Sequence, residues 1–93
     1  MNLARVIGRV WATSKDVSLE GQRILLVRPL GMDERARGEA YLAIDSVDAG
    51  AGESVLVVDE GASAGQVLAL DNPPIRAVIV GVVDEIRIAS DEA

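Results

Sequence analysis

The run Ala43–Gly65, AIDSVDAGAGESVLVVDEGASAG, decides the fold. It reads as a strand ending at Asp45-Ser46, a glycine loop Ala49-Gly50-Ala51-Gly52-Glu53, and a second strand from Ser54 to Val58. That second strand turns at Glu60-Gly61 into a segment of small residues. So little side chain in the loop lets it pass close to another backbone. A phosphate in an enzyme and a symmetry axis in an oligomer would both suit such a loop.

Working outward, further runs punctuate the chain. Asn2 to Ala12 reads as a strand whose Ala4, Val6, Gly8, Val10 and Ala12 are small and apolar, fit for the interior of a narrow barrel. Its other face carries Leu3, Arg5, Ile7, Arg9 and Trp11, an unusual mixture for a surface facing water. An inter-subunit surface fits that mixture, and cover by another segment of the same chain is the alternative. Arg23 to Leu30 is a second strand, with Pro29 marking its end or an edge. Gly31 to Glu39 is charged and glycine-flanked, the composition of a mobile hairpin tip, and Ala40 to Val47 returns as the third strand.

After the fourth strand, Ala62 to Leu70 loses its β-branched residues and predicts a short helix with Ser63 as N-cap. Asn72-Pro73-Pro74 ends it. Arg76 to Val83 is the most hydrophobic strand, and Ile86 and Ile88 alternate in the acidic end that follows. The sum is a mainly β chain, a small five-stranded OB-like barrel with one short helix between the fourth and fifth strands.

Composition narrows the function. A chain of 93 residues is small for burying enough apolar surface alone, and without cysteine no disulfide can help. Yet 49% of the residues are hydrophobic and mean hydropathy is +0.27. Some of that apolar surface is expected in subunit interfaces. A formal net charge of -6 and a pI near 4.4 disfavour nucleic acid and anionic membranes. Two aromatics, Trp11 and Tyr41, are too few for a single-strand-binding platform. Arg5 and Arg9 interrupt the first apolar run, so no signal-peptide pattern is expected, and a soluble cytoplasmic protein is.

Catalytic chemistry is not advertised. The seven serines and threonines have no histidine to activate them. Lys15, the single lysine, sits in a polar stretch beside Ser14 and Asp16 and reads as a solvated loop residue. No Gly-Ser bond is present for self-cleavage to a pyruvoyl group. Asp45 with Asp48, Asp59 with Glu60, and Asp84 with Glu85 read as solvated pairs at strand ends, neither an acid–base couple nor a metal site. The glycine loop lacks the P-loop lysine, and Glu53 would repel a phosphate. No catalytic, cofactor-binding or metal-ligating residue is expected, so the loop reads as a tight turn or an interface loop.

Four stretches together resemble the EutN/CcmL family, the pentameric vertex proteins of bacterial microcompartment shells. They are ARVIGRVWATSK from Ala4, SLEGQRILLVRPL from Ser18, AIDSVDAGAGESVLVV from Ala43 and PIRAVIVGVVDEI from Pro74, in the family's order across nearly the whole chain. Two departures stand out. Where the family often has Gly-Ser-Ser-Ala-Arg, this chain has Gly61-Ala62-Ser63-Ala64-Gly65, so a hydroxyl and a guanidinium are missing at Ala62 and Gly65. Arg76 stands where relatives often carry a small acidic residue.

The resemblance implies one barrel domain over residues 1–93, a homopentamer in the shell of a cytoplasmic microcompartment, and contact with hexameric shell proteins at the rim. An OB-like module binding a small ligand or an oligonucleotide is the alternative. Leu3, Ile7 and Trp11, with Arg76, Val78 and Val82 on the outward side of the last strand, are the expected subunit interface. Core packing is the competing reading, preferred for Val55, Val57, Val78 and Val80. Asp48, Ala49, Gly50, Ala51, Gly52 and Glu53 are the candidate loop at the five-fold axis or pore.

Overall fold

The computed structural model describes residues 1–11, 21–59 and 75–89. Five strands run Asn2–Val10 (β1), Arg23–Pro29 (β2), Tyr41–Asp45 (β3), Ser54–Val58 (β4) and Val78–Val83 (β5). They close into a barrel in the order β1-β2-β3-β5-β4. All neighbours are antiparallel except β3 and β5, which run parallel. This is the five-stranded OB-like barrel expected from the sequence. The helix expected over residues 62–70 lies outside the described residues.

The strands form where Val, Ile and Leu cluster, because branched side chains pack well on a pleated surface. Their inner faces meet in one cluster that includes Val6, Leu25, Val27, Val55, Val57 and Ile79. Ala4, Ala43, Ala49 and Ala77 complete it, and their size has a reason. Five strands enclose little volume, so large residues on every strand would not fit.

Two irregularities shift the faces predicted by strict alternation. In β1 the register with β2 slips between Val6, opposite Val27, and Gly8, opposite Leu26. Ile7 is the extra residue of a bulge. Ala4 and Val6 therefore point inward as expected, but Gly8 and Val10 lie opposite Leu26 and Ile24, outside the central cluster. A second slip, between Leu56 and Val57 of β4, passes over Val80 of β5. Ala77 and Ile79, rather than Val78 and Val80, therefore join Val55 and Val57 in the centre. Val78 is also wholly buried, paired with Ile44 outside that cluster. Val80 is half-buried at the bulge.

The connection from β2 to β3 is an ordered hairpin extension. A bridge joins Leu30 to Ala36, and Arg37 N–H donates to the Pro29 carbonyl at 2.8 Å. Proline there loses nothing, because its carbonyl still accepts at the strand end.

Candidate functional site

The glycine loop is tied down from within. Asp45, the last residue of β3, has a fully buried side chain. Its Oδ1 accepts from Val47 N–H at 3.1 Å and its Oδ2 from Ala49 N–H at 2.9 Å. Such side-chain acceptors replace ladder bonds where the chain leaves a strand. Arg23, at the start of β2, stands with Nε 3.6 Å from Asp45 Oδ2, too far for a hydrogen bond but close enough for charge attraction. The Arg23 Nη1 donates to Asp48 Oδ1. Asp45 was expected to be solvated; it is buried because the register sets Arg23 directly opposite it.

The rest of the loop closes on β1. Gly52 N–H donates to the Val6 carbonyl at 2.8 Å, and Val6 N–H donates to the Glu53 carbonyl at 2.9 Å. Glu53 Oε1 accepts from Gly50 N–H at 2.6 Å, which folds that side chain back over its own turn. Asp48 and Gly52 hold φ of +58° and +86°. Glycine takes that conformation freely, and aspartate tolerates it better than most residues. Ser46 Oγ donates to the Ile79 carbonyl at 2.6 Å and so ties the loop to β5.

Within the loop, Ala49 is wholly buried in the core, Gly50 is half-buried, and Asp48, Ala51, Gly52 and Glu53 are exposed. Arg23, Asp45 and Ser46, which build it, were not picked out from the sequence as site residues. The one signal available was the spacing of Asp45 two and four residues before Val47 and Ala49, which suits a side chain capping its own turn.

The expected interface residues fall into two groups. Ile7 is 43% exposed, Trp11 78% exposed, and Arg76 is exposed. The Arg9 guanidinium lies 5.1 Å from the centre of the Trp11 ring, a cation–π contact at the surface. Leu3 and Val78 are instead buried within their own chain, and half-buried Val82 packs against the central cluster. The structure brings Ile7 and the loop together through Val6, whereas Arg76 belongs to the approach to β5.

Chemically the loop can shape a turn and present negative charge. Both Asp45 oxygens are already occupied, and among the described residues no three metal-ligating side chains gather. Tyr41, entering β3, has its hydroxyl buried without a hydrogen-bond partner. Burial, and secondarily the charge of Asp59, raise its pKa above the ordinary value of 10.0.

Comparison with known proteins agrees with this architecture. A family model described as "Ethanolamine utilisation protein EutN/carboxysome" matches residues 1–84. The bacterial microcompartment shell vertex protein PduN of Salmonella typhimurium is 42% identical over 88 residues, covering 90% of this chain and 96% of that protein. GrpN of Rhodospirillum rubrum, also a shell vertex protein, is 40% identical over 87 residues, covering 94% and 97%. The solved structure of that pentameric GrpN shell protein superposes with a TM-score of 0.83, covering 96% of this chain and all of the other.

Proposed function

The chain belongs to the EutN/CcmL family, and on that premise we propose that it forms homopentamers that cap the five-fold vertices of a bacterial microcompartment shell in the cytoplasm. The observation that carries the reading is the end-to-end match to a pentameric shell protein. The apolar surface left on β1 supports it independently. A ring of five needs one patch of each copy to meet a different patch of the next, and closure then fixes the number. Its rim would meet the hexameric proteins of the flat facets.

Ile7, Trp11 and Arg76 supply exposed surface for the subunit contact, and Val82 backs them. Leu3 and Val78 serve it indirectly by stiffening the strands beneath. The loop from Asp48 to Glu53 approaches the five-fold axis. Arg23 offsets the Asp48 charge, so Glu53 gives the ring of five its negative character, a filter for small solutes. A pentamer with this loop on its outer rim would end that assignment.

Native mass measurement tests the whole reading. The expected mass is a fivefold multiple of 9.8 kDa. Ile7→Glu should reduce the pentamer fraction, and a monomeric parent chain would sink the proposal. The OB-like binding alternative gains no support from the relatives, which are named for shell vertices.

A further inference from the structure

One polar row crosses the outer face of the barrel. In the register of β1 with its neighbours, Arg5 stands directly opposite Arg28 of β2 and, on its other side, opposite Ser54 of β4. All three lie on the outer face, because the residues beside them in their strands, Ala4, Val6, Val27 and Val55, fill the core. The row sits in the half of β1 before the bulge at Ile7, where ladders on both sides fix its register.

Two arginines as cross-strand partners carry a cost. Residues paired in this way hold their Cβ atoms about 5 Å apart, and like charges there repel. Among the described residues the ion pairs are made by Arg23 and Arg87, and none involves Arg5 or Arg28. The surroundings sharpen the repulsion. Leu3 and Leu30 border the pair on the same face, are 5% and 8% exposed, and join through the Leu30 N–H and the Leu3 carbonyl at 2.9 Å. Leu26 borders it on the other side, and Arg5, Arg28 and Ser54 are themselves half-buried. Charges in such a partly desolvated frame act on one another more strongly than in open water.

The same arrangement favours one class of ligand. Guanidinium groups bind oxyanions through paired, charge-assisted hydrogen bonds. Arg28 is already oriented, since its Nη1 donates to the Gly38 carbonyl at 3.1 Å. Arg5 starts from the facing position on β1, and Ser54 adds a hydroxyl donor on the far side of it. A doubly charged oxyanion offsets both guanidiniums, whereas a single carboxylate leaves one charge over.

We infer that Arg5, Arg28 and Ser54 form a binding site for a small, doubly charged oxyanion such as phosphate. The two guanidiniums hold the anion between them, and Ser54 Oγ donates to it from the β4 side. The site lies within one copy, so it stands apart from the pentamer reading.

Inorganic phosphate and the full-length chain provide the test. At matched ionic strength, phosphate in place of chloride should raise the melting temperature by about 4 °C. The Nε–Hε signals of Arg5 and Arg28 should move saturably in a nitrogen-15 NMR titration. Arg5→Gln and Arg28→Gln should each lose most of the rise, each variant being compared with itself in the two salts. Arg35→Gln, in the exposed hairpin, should keep it, which separates the site from the general stabilising effect of phosphate. An equal rise in all four proteins, or signals that do not saturate, overturns the inference. So does a weakened pentamer in Arg5→Gln with no phosphate effect on the parent, because the pair would then belong to a contact between copies.

Discussion

The loop from Asp45 to Glu53 and the strand half from Ile7 to Trp11 lie side by side, joined through Val6, and differ in almost every physical respect. The loop is conspicuous in the sequence, glycine-rich and with three acids. In the structure its polar groups are largely consumed: Asp45 by two backbone amides, Glu53 by Gly50, Asp48 by Arg23, Ser46 by Ile79. The strand half has no glycine run and no acid, yet it holds apolar side chains in water, and one of its edges has no ladder partner among the described residues. The contrast teaches that residues conspicuous in sequence can be largely spent on the fold. What remains unpartnered in the folded chain is the better guide to assembly.

Three substitutions would break or sharpen this contrast. Asp45→Ala should act on the fold, because it strips two amides of a buried acceptor and Arg23 of a neighbouring opposite charge. The expected loss is about 3 kcal/mol, read as a lowered urea midpoint. A change below about 1 kcal/mol would mean the loop does not depend on its buried carboxyl.

Tyr41 tests the interior at alkaline pH. Its folded pKa is raised, so its contribution to stability is complete below the unfolded value of 10.0 and is lost as pH rises through the folded one. Because it is the only tyrosine, ultraviolet titration reports it alone. Titration at or below the ordinary value would contradict its burial, and Tyr41→Phe should remove this part of the alkaline loss.

The smallest effect on the fold belongs to Ile7→Glu, expected within about 0.5 kcal/mol as for other exposed positions. Its effect on the pentamer is the opposite in rank. If Ile7→Glu unfolded the chain, or Asp45→Ala dissociated the ring without unfolding it, the division between the two regions would fail.

Much of the fold was legible in the sequence because strand signals are local. Clusters of Val, Ile and Leu, bounded by Gly and Pro, marked all five strands, and Ser54–Val58 came out with the observed bounds. The faces were less legible. A bulge at Ile7 or Val80 depends on the partner strand, so it leaves no trace in one strand's own alternation. Asp45 is the plainest case. Beside Asp48 it reads as half of a solvated pair, and only the register with β2, which brings up Arg23, makes it a buried anchor. The candidate interface divided for the same reason: Ile7 and Trp11 are exposed, whereas Leu3 and Val78 are covered by elements distant in the chain.

The seam between β3 and β5 bears on how the chain reaches this shape. It is held by two register pairs, Ile44 with Val78 and Asp45 with Ile79, where β1 and β2 share six. These partners are farther apart along the chain than those of β2 and β3, so their closure costs more loop entropy for fewer pairs, and the β2–β3 hairpin is expected to form first. With that joint open, β5 would be held to the sheet through β4 alone. Closing this joint pairs β5 on its second side, the first being its five register positions with β4. A chain with the joint open would expose the facing edges of β3 and β5 to strands of other copies, so closing the barrel protects against mispairing.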